Sequence, residues 1–182
     1  IGTALLATLR PPEMLISGDG RHVGITADDG SGLLVLRQGR GSFAAETLSE
    51  MAGMRGPTRA IADVPSARCN PDFCALDIRR GGRVWRLLMA RGRDHVPERA
   101  LAAACDRADI VVSDRWLPRS CAPRRLKADR RLLARTGGLT VDFTSGRVNT
   151  VAQSQGRHGW WRGEAGGSGV IPAPRPRPAA PE

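Results

Sequence analysis

Ala75-Leu76-Asp77-Ile78-Arg79-Arg80-Gly81-Gly82-Arg83-Val84-Trp85-Arg86-Leu87-Leu88-Met89 is rich in strand-forming residues and broken once, by a pair of glycines. Ala75 to Arg79 and Val84 to Met89 read as the two arms of a hairpin turning at Gly81-Gly82. The second arm, Val84 to Met89, is apolar on both faces, as in a strand at the centre of a sheet. Pro97 is placed to open a helix. Ala100, Leu101, Ala104, Cys105 and Ala108 follow at helical spacing, which predicts a core-facing Cys105. Ile110-Val111-Val112 is a short buried strand. Hairpin, helix and strand together predict an α+β (mixed α/β) domain.

Towards the amino end, Met14-Leu15-Ile16, Val23-Gly24-Ile25-Thr26 and Leu33-Leu34-Val35-Leu36 read as a three-stranded meander punctuated by Gly18-Asp19-Gly20 and Asp28-Asp29-Gly30. A helix follows, capped by Ser42, with Ala44, Leu48, Met51 and Ala52 on one face and Gly53 as its stop. Residues 54–73 are weakly patterned. Leu139–Phe143 and Val148–Val151 close the fold as a second hairpin. Beyond Gly163 the chain is Gly- and then Pro-rich, the composition of a disordered tail.

The 182 residues suit one domain with tails. No run reaches the roughly 20 apolar residues of a membrane span. Ile1–Leu9 is apolar and stops at Arg10-Pro11-Pro12, without the basic leader or cleavage site of a signal peptide. It reads as a first strand or as the end of a membrane helix from a longer chain.

Net charge is +10 and the isoelectric point about 11.2, values that point to polyanionic partners. Of 28 basic residues only Lys127 is lysine, a bias that GC-rich coding produces by itself. Between Arg107 and Arg135, nine Arg or Lys face three Asp. Clustered cations of this kind neutralise phosphates and release counterions. Trp116 within the cluster could stack on an unpaired base. The plainer alternative is a solvated basic face with a core tryptophan.

His22, His95 and His158 lie far apart, and none has a second histidine two or four residues away to share a metal. Ser17-Gly18-Asp19-Gly20 matches neither a nucleophile elbow nor a phosphate loop and reads as a turn. Asp109 and Asp114 flank a buried strand, where acids serve as bases or ligands but more often cap or pair with cations. Cys69, Cys74, Cys105 and Cys121 lack the close pairing of zinc ligands, leaving a zinc site, disulfides or free thiols open. Asn70-Pro71-Asp72 is turn chemistry that could bring Cys69 to Cys74.

An ordered series of segments carries a family resemblance: Met14-Leu-Ile-Ser-Gly-Asp-Gly-Arg-His-Val23, Arg68-Cys-Asn-Pro-Asp-Phe-Cys74, Ala108-Asp-Ile-Val-Val-Ser-Asp-Arg115 with Pro118-Arg-Ser-Cys121, and Arg135-Thr-Gly-Gly-Leu139 with Arg157-His-Gly-Trp-Trp-Arg162. The series resembles the C-terminal domain of ComEC-type competence proteins, the inner-membrane channels for DNA uptake, in their alphaproteobacterial form. The resemblance implies a metallo-β-lactamase-like β-sheet with flanking helices over residues 13–162, degenerate and truncated. Residues 1–12 would be the tail of a membrane helix with its linker, and 163–182 a disordered tail.

Where that domain is a hydrolase, an H-x-H-x-D-H loop and a later His-His pair hold metal. Here Met54–Ala67 has no histidine, and Ile110–Val112 leads into Ser113-Asp114-Arg115-Trp116. No catalytic residue is carried over, and no metal, other cofactor or small-molecule substrate is expected. The implied role is a non-enzymatic accessory domain on the periplasmic side of the inner (cytoplasmic) membrane. Its implied partners are the channel portion of the parent chain and DNA, bound without sequence preference and single-stranded. The expected DNA contacts are Arg115, Trp116, Arg119, Arg124, Arg125, Lys127, Arg130 and Arg131. In that oxidising compartment the cysteines are expected to pair as Cys69–Cys74 and Cys105–Cys121. Two alternatives stand beside this role: a metal-dependent nuclease or hydrolase with a site assembled from His22, His95, Asp109 or Asp114, and a purely structural remnant.

Overall fold

The computed structural model of the chain describes residues 11–27, 30–38, 43–92, 94–155 and 169–170. The proposed membrane-helix tail, the Ser42 cap, His158 and most of the Gly/Pro-rich tail lie outside these residues.

Among the described residues, twelve strands form two sheets. The first contains β1 (Met14–Ile16), β2 (Val23–Thr26), β3 (Leu33–Val35), β4 (Thr58–Ala60), β10 (Leu139–Asp142), β11 (Arg147–Thr150) and β12 (Gly169–Val170), in the order β12-β11-β10-β1-β2-β3-β4. It is antiparallel except for the β3–β4 pair. The second runs β5 (Ala67–Cys69), β6 (Phe73–Arg80), β7 (Arg83–Ala90), β8 (Ile110–Val112) and β9 (Leu126–Ala128), antiparallel at first and parallel across β7, β8 and β9.

Strand alternation sorts the side chains into three apolar layers. Between the sheets lie Met14, Ile16, Val23 and Ile25 from one and Leu76, Trp85, Leu87, Met89 and Ile110 from the other. Leu15, Leu33 and Val35 point the opposite way and are covered by Leu48 and Ala52 of helix α1 (Phe43–Met51) and its end. On the far side of the second sheet, Leu88 and Val111 pack against Leu101 and Cys105 of helix α2 (Glu98–Arg107). Helices α3 (Arg130–Thr136) and α4 (Val151–Ser154) touch each other, and α3 sends Leu133 into the central layer. No helix among the described residues is long and apolar enough to cross a membrane.

The hairpin forms as its sequence predicts. Arg80 pairs with Arg83, and Gly81 and Gly82 take φ of 55° and 74° between them. The meander and the closing hairpin also form, with β10 beside β1. Three expectations need correction. Met51 is 57% exposed: it stands at the end of α1 beside an open groove that also reaches Leu15 and Leu139, while Leu48 alone of the helix is buried. Pro97 stands one residue before the helix as its N-cap. The weakly patterned stretch holds β4 and β5, which are three residues each and too short to show alternation.

Candidate nucleic-acid interface

At one end of the stacked sheets, the β1–β2 turn meets the loop that follows β8. Gly20 makes this approach possible: at φ 69° it lies so close to Ser113 that a Cβ would fall 2.7 Å from the Ser113 carbonyl oxygen. Across the junction, Arg21 Nε stands 3.8 Å from Asp114 Oδ2. The other Asp114 oxygen is buried, makes no hydrogen bond among the described residues, and faces Arg115 Nε at 4.0 Å. Asp19 shapes the turn by accepting from the Ser17 hydroxyl and from the Arg21 amide. Burial works to raise its carboxyl pKa, but those hydrogen bonds and the nearby His22 outweigh it and hold the pKa below the ordinary value. Asp19, Arg21, Asp114 and Arg115, with Gly18, Arg130 and Ala134, line a cleft of about 550 Å³.

The cleft sits at the carboxyl end of β8, where open α/β sheets characteristically place ligands. Its rim is the loop that carries Trp116, which is 70% exposed. Ser113 is fully buried, and its hydroxyl accepts from the Arg115 amide at 3.1 Å. Asp129 accepts from the Leu117 amide at 3.3 Å through one oxygen and caps α3 through the other, taking the Leu132 amide at 3.1 Å. The Arg130 amide donates to the Arg115 carbonyl, and Lys127 Nζ donates to the Pro118 carbonyl at 2.6 Å. Cys121 is bonded to Cys105 of α2, both in the core. A loop tied at so many points holds Trp116 outward by its backbone geometry.

The eight basic-segment residues separate into two groups. Arg119, Arg130 and Arg131 are exposed, and Arg130 Cζ lies 5.8 Å from the centre of the Trp116 ring. Arg115 borders the cleft and donates from Nη1 to the Asp94 carbonyl. Arg124, Arg125 and Lys127 are drawn into the fold. Asp109 lies at the other end of β8, accepting from the Arg86 amide at 2.9 Å, and Arg124 and Arg125 approach it at 4.0 and 3.9 Å. The Arg125 side chain is 8% exposed and lies 5.0 Å over buried Trp85, which Arg83 also covers at 4.0 Å. Desolvation lowers the Arg125 pKa, Arg83 adds repulsion, and Asp109 partly offsets both.

Arg21 and Asp129 belong to this site, although nothing in the basic count singles them out. Asp129 carried a legible signal, an Asp three residues before a buried-helix leucine pair. Of the residues considered for a metal site, His22 stands in the β1–β2 turn with Nδ1 3.5 Å from Asp19, on the Asp114 side of the fold, and the others lie apart from it. Asp109 and Asp114 bracket β8, on the order of 16 Å apart by strand rise, and His95 lies exposed in the connection to α2. Among the described residues no three His, Cys, Asp or Glu side chains are placed to share a metal ion.

Comparison of the chain with protein-family models, curated proteins and solved structures gives no significant match.

The cysteines pair at both expected places. Cys69 and Cys74 sit opposite each other across β5 and β6, with Cα atoms 4.0 Å apart. The Cys105 and Cys121 Cα atoms are 5.1 Å apart.

Proposed function

We propose that this chain is a non-enzymatic, DNA-contacting accessory domain of a membrane DNA-uptake channel of the ComEC type, working outside the cytoplasm. The observation that carries the proposal is Trp116: a large aromatic side chain, 70% exposed, on a loop tied down on both flanks, with Arg130 beside its ring. An exposed aromatic on an anchored loop is a stacking platform, and the adjacent cations supply backbone contacts. Two stacked sheets with a helix on each outer face are compatible with a metallo-β-lactamase-like ancestry, and two cysteine pairs at bonding distance suit an oxidising compartment. The dispersed acids and histidines favour binding over metal-dependent hydrolysis.

The test is fluorescence anisotropy with random single-stranded and duplex oligonucleotides across a salt series, with nuclease activity followed in parallel. Single-strand binding that weakens linearly with log salt supports the reading. Absence of binding to either at low salt would transfer the domain to a structural role, and metal-dependent cleavage would make it an enzyme.

A further inference from the structure

Away from the Trp116 loop, on the outer face of the second sheet, three arginines converge around one alanine. Arg68 of β5 stands directly opposite Ala75 of β6. Arg86 of β7 stands opposite Asp77, which makes it a diagonal neighbour of Ala75 on the same face. Arg107, the last residue of α2, completes the wall. With Pro65 and Ser66 they line a recess of about 560 Å³ that has a small side chain, Ala75, for its floor.

The charge in this recess is poorly compensated. Arg86 approaches Asp77 at 3.7 Å with both side chains about half exposed, a pairing worth little in water. Arg68 and Arg107 have no hydrogen-bond or ion-pair partner among the described residues. Guanidinium groups match phosphate oxygens two at a time, and several around a small floor leave room for the anion between them. Phe43 and Met51, 80% and 57% exposed, belong to α1 on the opposite outer face, whereas the face of Arg86 shows only the smaller Val84, 43% exposed. The recess therefore faces away from the most apolar surface, which favours an anion carried in water over one at a bilayer.

We propose that this recess is a second phosphate site, which takes a phosphodiester of a nucleic-acid strand through Arg68, Arg86 and Arg107. It rests on the DNA-contacting reading only for the identity of the phosphate bearer. The probe is a short abasic deoxyribose-phosphate oligomer, which has phosphodiesters but no base to stack on Trp116. Titrated into the full chain, it should shift the Ala75 amide and the arginine Nε–H resonances of Arg68, Arg86 and Arg107 in nitrogen–proton NMR spectra. The double variant Arg68→Gln/Arg107→Gln should weaken this binding roughly tenfold or more, as expected for losing charge-assisted hydrogen bonds. Trp116→Ala should leave it unchanged, so this site can stand or fall apart from the stacking platform. Unmoved resonances, equal binding by the double variant, or binding confined to phosphatidylglycerol vesicles would each overturn the proposal.

Discussion

Arg130 holds its guanidinium carbon 5.8 Å from the centre of the Trp116 ring, and both side chains face solvent. A base stacked on the indole would place its own phosphate within reach of that cation. Trp116→Ala should therefore lower single-strand affinity by roughly 1–3 kcal/mol. An exposed ring buries little on folding, so the thermal midpoint should stay put. Anisotropy and a thermal melt on the same preparation check both halves.

The basic segment should respond to mutation in two different ways. Replacing Arg119, Arg130 and Arg131 with Gln should flatten the salt dependence without loss of stability. The slope should fall by about 0.7 for each single-strand phosphate that is no longer neutralised. Arg125→Gln should leave the slope intact. It should instead destabilise the fold by on the order of 1–3 kcal/mol, because Asp109 is then buried with less compensation. Urea denaturation beside the salt series separates the two; equal slopes for both sets would refute the division.

Asp129 joins the fold to the site. Asp129→Ala removes the α3 cap and should cost about 1 kcal/mol. It also leaves the Leu117 amide without its acceptor and should loosen Trp116, seen as lower steady-state anisotropy of tryptophan emission and weaker single-strand binding. Asp129→Asn keeps one carbonyl oxygen and should recover most of the stability but only part of the loop order.

Much of this arrangement is legible in the sequence. The paired glycines between two long apolar-rich arms and the helical stripe around Cys105 place the hairpin and α2, because each pattern spans many residues, and β8 shows as an unbroken β-branched run. Strands of three residues such as β5 and β9 repeat nothing, and their identity comes from partners distant in the chain. The cationic run is legible as charge, but not which arginines turn inward. Arg125 and Lys127 are decided by the position of Asp109 and of the Pro118 carbonyl, a tertiary matter. Trp116 is visible as a residue type, and its exposure becomes visible only with the loop in place.

The cysteine pairs should differ in weight. In the loop-entropy picture, the Cys105–Cys121 bridge, with its sequence separation of 16, is worth about 3 kcal/mol and the short Cys69–Cys74 loop about 2 kcal/mol. Replacing Cys105 and Cys121 with Ser should also release the Trp116 loop, which the other double replacement should not do. Denatured, unreduced protein from an oxidising compartment should titrate no thiols, and four would refute both bridges.

Acid should unlatch the β1–β2 turn. The Asp19 carboxyl has a native pKa below its ordinary 3.8, so the unfolded chain binds its proton first as pH falls. Its contribution is complete above the ordinary value and is lost as pH drops through the native one. Melts of the parent and of Asp19→Asn should therefore differ at neutral pH and converge in strong acid. A gap that widens with acid would reverse the assignment.

The pairing of Met14 with Val141 carries a consequence for biogenesis. Strands β5 to β9 come from one uninterrupted stretch, residues 67–128, whereas the first sheet needs strands from both sides of that stretch. A polypeptide emerging amino end first could finish the second sheet while β1 still waits, with one open edge, for β10. Chains interrupted anywhere between β9 and β10 would retain the arginine recess but present that edge to any neighbour, the condition under which strands pair between molecules. Completion of the β10–β11 hairpin would thus act as the seal that separates a nascent, association-prone chain from a closed domain.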